Sequence, residues 1–129
     1  MRWIVDGMNV IGTRPDGWWK HRQRAMSTLV EQLERWAAAH GDEVTVVFEQ
    51  PPSPPIHSSV IEVAHAPEAA ANSADDEIVR LVRADNQPQD IRVVTSDGTL
   101  IQRVRDAGAS TYPADNFRNL IDPRRVGPG

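Results

Sequence analysis

The chain contains no cysteine. Disulfides, thiolate nucleophiles and cysteine-based zinc sites are thereby excluded, and a metal would have to sit on oxygen or imidazole donors. Positive charge is not in excess either: 14 Lys and Arg against 18 Asp and Glu give a formal net charge of −4. The surface as a whole is therefore not built to hold a polyanion by counterion release, although a local basic patch stays open. No apolar run approaches the roughly 20 residues that cross a bilayer, and the chain opens on a strand pattern rather than a signal peptide. A cytoplasmic protein without a membrane partner is the expectation. There is no internal repeat, no Walker loop and no G-x-G-x-x-G fingerprint, which argues against nucleotide-driven switching and dinucleotide binding. The four histidines lie scattered, without the spacing of a zinc site.

What is present suits one domain, since 129 residues bury a single core but hardly two. The domain is expected over residues 1–122, with a flexible tail at 123–129 in "DPRRVGPG". Strand patterns recur at "RWIVD" (2–6), "EVTVVFE" (43–49), "SSVIEVA" (58–64), "IRVVTS" (91–96) and, more weakly, "ASTYP" (109–113). Several are unbroken apolar runs, as in strands covered on both faces. Between them, Met26, Leu29, Val30, Leu33 and Trp36 repeat at helical spacing up to His40-Gly41, a C-terminal cap signal. Ile78, Val79, Leu81 and Val82 mark a second helix, Leu100, Ile101 and Val104 a third ending at Gly108, and Phe117, Leu120 and Ile121 a last one. Strand and helix alternate, so the expected class is α/β, a mainly parallel sheet of about five strands between two helical layers. The prolines of "QPPSPP" (50–55) lack the amide donor, and the stretch reads as a stiff loop, or as a proline-motif ligand for a partner.

In such a sheet, ligands bind beyond the carboxyl ends of the strands where strand order reverses, and the acids gather at that edge. Asp6 follows the first strand in "IVDGMNVIG", Glu49 ends the second, Asp97 follows the fourth in "VVTSDG", and Asp75-Asp76 open the helix "NSADDEIVRLV". Plain structural roles exist for each. Asp-Gly is a common turn or hairpin signal, Ser73 with Asp76 fits a capping box, and acids in a first helical turn favour the macrodipole. Asp75, however, shares a helical face with Ile78, Val79 and Val82, which turns it toward the sheet. Clustered carboxylates repel one another unless a cation compensates. Hard divalent ions, Mg²⁺ or Mn²⁺, suit oxygen ligands and suit phosphoryl chemistry. Asn9 could position substrate or a metal-bound water, and Asn72 could do so too or serve a turn.

The stretch "GTRPDGWWKHRQRAM" (12–26) places Arg14, Lys20, Arg22 and Arg24 around adjacent Trp18 and Trp19. Indoles stacked on bases with cations on phosphates are how proteins grip single-stranded nucleic acid. Alternatively one indole plugs the core and the charges only solvate a helix start.

The segments "DGMNVIG", "VTVVFE", "ADDEIVRLV" and "VVTSDGTLIQRVRDAGA", in that order over roughly residues 2 to 121, resemble the NYN domain family of PIN-like ribonucleases, in particular its YacP-like group. The resemblance implies a Rossmann-like PIN fold, a divalent metal held by the acids matching Asp6, Asp75, Asp76 and Asp97, and cleavage of RNA phosphodiesters. The family commonly has Asp where this chain has Glu49, and often a larger or basic residue in place of Gly98. The resulting expectation is a metal-dependent ribonuclease in which Asp6, Asp76 and Asp97 hold Mg²⁺ or Mn²⁺, Asp75 holds or activates water, and Asn9 orients the phosphate. Arg14, Trp18, Trp19, Lys20, Arg22 and Ser96 are the candidates for substrate contact. The expected partner is RNA, single-stranded or structured, such as tRNA, rRNA or mRNA, with a homodimer possible. The alternatives are a non-catalytic RNA-binding or ribosome-associated module of the same fold and, less well supported, a phosphatase or nucleotidase for small substrates.

Overall fold

The computed structural model describes residues 1–13, 17–67 and 73–122. Five strands, β1 (Arg2–Asp6), β2 (Glu43–Phe48), β3 (Glu62–His65), β4 (Ile91–Val94) and β5 (Ser110–Tyr112), form one sheet in the order β3-β2-β1-β4-β5. Every neighbouring pair is parallel. The helices are α1 (Gly7–Ile11), α2 (Arg22–His40), α3 (Ser73–Ala84), α4 (Gly98–Asp106) and α5 (Ala114–Ile121), with single 3-10 turns at Trp18–Lys20 and Pro88–Asp90. The chain builds outward from β1 to β3, then returns to lay β4 on the other side of β1. Strand order thus reverses between β1 and β4, and the crevice this creates opens at their carboxyl ends.

The period-2 alternation of strand side chains sorts the apolar runs into two cores. Trp3 and Val5 of β1 and Val44, Val46 and Phe48 of β2 pack with α1, α2 and α5. Ile4, Val47, Ile91 and Val93 face the other way, against Ile78, Val79 and Val82 of α3 and Leu100 and Val104 of α4. The two helical layers are therefore as the apolar runs predict. Each such fully buried aliphatic or aromatic side chain contributes about 1.5–3 kcal/mol over its exposed state. Trp3, Trp36 and Phe117 meet with ring centroids 5.2–5.3 Å apart, which locks α2 and α5 onto β1. As the sequence predicts, α2 stops at His40: Gly41 takes the left-handed conformation at φ 71° and donates its N–H to the Ala37 carbonyl at 2.8 Å.

Two local expectations change. The third strand, expected over 58–64, begins at Glu62. Ser58 Oγ accepts the N–H groups of Val60 and Ile61 at 3.1 Å and donates to Glu34 Oε2 at 2.7 Å, so its hydroxyl turns the chain where the apolar pattern alone would continue a ladder. Asp6-Gly7 makes no hairpin, because β1 is flanked by parallel neighbours on both sides. The chain passes directly into the five-residue α1, too short to be stable by itself. The expected loop at 50–55 is pinned to α2 by Gln23, which donates to the Pro54 carbonyl at 3.0 Å and accepts the Ser53 N–H at 2.9 Å. The tail at 123–129, Arg14 and Asn72 lie outside the described residues.

The start of α1 is set by a close approach. A Cβ on Gly7 would stand 2.6 Å from Phe48 Cε1 and 3.1 Å from Val46 Cγ2, and Phe48 is fully buried. Gly7→Ala should therefore destabilise the fold by about 1–3 kcal/mol through overpacking, read as a lower urea midpoint. An unchanged midpoint would mean that α1 is free to move off the sheet.

Candidate active site

Alternation along β1 puts Asp6 on the same side as Ile4, toward α3 and α4, and there it is only 6% exposed. Its Oδ2 accepts the Thr95 hydroxyl at 3.0 Å, and the same hydroxyl accepts the Asp97 N–H at 3.1 Å. Thr95 thus ties the end of β1 to the turn after β4. Asp97 caps α4, its Oδ1 accepting the Leu100 N–H at 3.0 Å. Capping and facing the crevice are compatible, since one carboxylate oxygen serves each. Ser96 donates its N–H to Asn9 Oδ1 at 2.9 Å, and its hydroxyl oxygen accepts the Ala114 N–H at the same distance.

These elements enclose a hollow of about 210 Å³ lined by Asp6, Met8, Asn9, Glu49, Ala74, Asp75 and Asp97. Burial pushes the Asp6 carboxyl up to about 7, with Asp75 and Asp97 adding to the rise while the Thr95 hydroxyl and the Asn9 backbone N–H oppose it. The Asp75 carboxyl is also raised, by burial first and then by Asp97, Asp76 and Glu49, against the pull of Arg103.

The structure brings together Asp6, Asp75, Asp97 and Asn9 of the expected set and adds Glu49. Asp76 departs from that set. It is 72% exposed on its side chain and paired with Arg103 Nη1 at 2.9 Å, because successive residues on a helix point about 100° apart and Asp75 takes the inward direction. Thr95 was hidden from sequence reading by its β-branched character, which reads simply as strand. Ser96 holds α1 and α5 in place rather than facing the hollow. In the basic stretch, Trp18 is half-buried against the α2 core, with Arg22 over its ring at 5.4 Å, while Trp19 is 56% exposed. Arg22 lines a second hollow of about 280 Å³ that shares Met8 and Glu49 with the acidic one. Trp19 and Lys20 line neither.

The donors at the acidic hollow are all hard oxygens, and their mutual repulsion is of the kind a divalent cation relieves. The fit is in chemical kind. Among the described residues no three such side chains stand close enough to form a ready-made cage.

The model of the YacP-like NYN domain matches residues 3–126. The chain belongs to this family. Two solved structures resemble the NYN domain closely. The crystal structure of Rae1 (YacP) from Bacillus subtilis aligns with a TM-score of 0.78 and 26% identity over 96% of this chain and 76% of that one. A tryptophan-to-leucine variant of the same protein gives 0.75 and 26% over 95% and 77%. No curated protein gives a significant match. Family and fold class are those the sequence motifs indicate. No helix among the described residues is long and apolar enough to cross a membrane.

The raised Asp6 pKa has a sign that can be measured. Its carboxyl binds a proton more tightly folded than unfolded, so its stabilising contribution is present below about pH 4 and is lost as pH rises through about 7. Asn in its place keeps the acceptor for Thr95 but carries no charge. With EDTA present, Asp6→Asn should therefore be more stable than the parent at pH 8 by roughly 2–4 kcal/mol. The gap should close toward pH 4. A gap independent of pH would show that Asp6 is not a strained carboxylate.

Proposed function

We propose that this NYN domain is a divalent-metal-dependent ribonuclease that hydrolyses RNA phosphodiesters at the acidic hollow. The observation that carries the reading is the convergence of Asp6, Asp75 and Asp97, from three separate segments, on the crevice where strand order reverses. Asp6, Asp75 and Asp97 would hold Mg²⁺ or Mn²⁺, with Glu49 beside them and Asp76 outside. A bound ion of this kind supplies positive charge to a phosphate and acidifies water. The chain's own groups do the rest. Asp75, which lines the hollow from the start of α3, is placed to accept a proton from water there. Asn9 has its Oδ1 engaged by Ser96, which leaves its Nδ2–H to donate to a phosphate oxygen. Arg103, fixed on Asp76 at the outer side of α3, places a cation near the approaching backbone.

Labelled single-stranded and structured RNA, incubated with Mg²⁺, with Mn²⁺ and with chelator, tests this reading. Cleavage should appear with metal and vanish with chelator, and Asp6→Asn or Asp97→Asn should lower it by roughly 100-fold or more, as expected for losing the metal's contribution. Both variants should fold, since Asp97→Asn keeps a good helix cap and Asp6→Asn keeps an acceptor for the Thr95 hydroxyl. Intact RNA with both metals, or full activity in both variants, would refute the assignment.

The entry stretch gives a separate outcome. Trp19→Ala should weaken single-stranded RNA binding by roughly 1–3 kcal/mol, the worth of one base stack, with an unchanged melting temperature. Trp18→Ala should cost stability instead, toward the roughly 3–5 kcal/mol of a buried large aromatic. Melting curves and affinities for both variants separate the roles, and unchanged affinity for Trp19→Ala would remove it from the binding surface.

A further inference from the structure

On the other flank of α1 lies a cavity of about 240 Å³ between α1, the Trp18 turn, α2 and α5. Among the described residues its lining carries His21, Arg24 and Arg118 and no carboxylate, in a chain whose net charge is −4. Arg118 is 17% exposed and stands 4.0 Å from Asp122. Among the described residues its buried Nε has no hydrogen-bond partner, a costly state for a charged donor. The Trp18 ring and the buried Gln32 complete a wall that is part aromatic and part polar. At this volume the cavity is smaller than a drug-sized site of roughly 300 Å³ or more, so it suits a single planar group with an anion attached.

The cavity and the acidic hollow are joined by one short element. Met8 and Asn9 of α1 line the acidic hollow and Val10 and Ile11 line the cavity, so both open beside the same five-residue helix. We infer that the cavity is a nucleotide subsite: it takes one nucleotide of the RNA strand whose scissile phosphate lies at the acidic hollow, with the base against Trp18 and the phosphate on Arg24 and Arg118. Arg118 lines the cavity, and a guanidinium is well matched to a phosphate in charge and geometry. This inference rests on the ribonuclease reading for its substrate but is tested apart from it.

The test is fluorescence anisotropy of a labelled single-stranded RNA dodecamer with the chain carrying Asp6→Asn to prevent cleavage. Arg24→Gln, at an exposed position on α2, and Thr28→Trp, which fills the cavity, should each raise Kd roughly tenfold, the scale of one lost base stack or charge-assisted contact. In the Asp6-containing enzyme the same two changes should raise KM and alter kcat by less than about twofold, since uniform binding is what they remove. Adenosine 5′-monophosphate should displace the RNA at lower concentration than inorganic phosphate does, and equal competition would overturn stacking on Trp18. Variants that melt like the parent and bind RNA with unchanged Kd would overturn the subsite. RNA cleaved with KM indifferent to both changes would do so while leaving the ribonuclease reading intact. RNA held in the cavity but never cleaved with Mg²⁺ or Mn²⁺ would sustain the subsite and refute the ribonuclease.

Discussion

A carboxylate kept out of water at the end of the central strand is energetically unfavourable, and the neighbouring structure is arranged around that fact. Asp6 cannot turn toward solvent, because strand alternation aims it between α3 and α4. It is tolerated because the Thr95 hydroxyl donates to it, and the same hydroxyl fixes the backbone of Asp97. The polar group that offsets the burial of one acid thereby sets the position of another. Asp75 arrives from α3 on the helical face that packs against the sheet. Its inward direction is a by-product of core formation, since Ile78, Val79 and Val82 fix the rotation of the helix.

The parts of this arrangement legible in the sequence are those set by periodicity. Apolar runs gave two-sided strands, the spacing from Met26 to Trp36 gave α2, and the helical face shared by Asp75 and Ile78 gave its inward direction. What could not be read depends on one hydrogen bond or one angle. The late start of β3 follows from the Ser58 hydroxyl. The outward direction of Asp76 follows from its place one step around α3 from Asp75, but the Arg103 that pairs with it there lies 27 residues away in sequence, a distance that no local pattern reports. Glu49, which the end of the second strand pattern already places at this edge, lines the hollow because β2 ends beside β1 in register. The acids were thus recognisable as a set, whereas their division into lining and outlying members required the packing of α3 against α4.

The basic stretch divides in the same way. Adjacent tryptophans cannot both face the core, and the 3-10 turn sends Trp18 inward and Trp19 out. Trp18 shields Gly12 at the end of α1 and also walls the cavity with Arg118. A residue that looks like packing from one side is surface from the other.

Three consecutive residues after β4 address three different sets of partners: Thr95 reaches β1, Ser96 reaches α1 and α5, and Asp97 caps α4. Each contact depends on its neighbour's place in the count. An insertion or deletion of a single residue here would exchange all three partners at once, whereas the segment between β2 and β3, anchored by side chains at separate points, has slack between its anchors. Among descendants of this fold, length variation should accordingly accumulate between β2 and β3 and be purged from the turn after β4, making that turn a fixed reference for chain length in an otherwise adjustable scaffold.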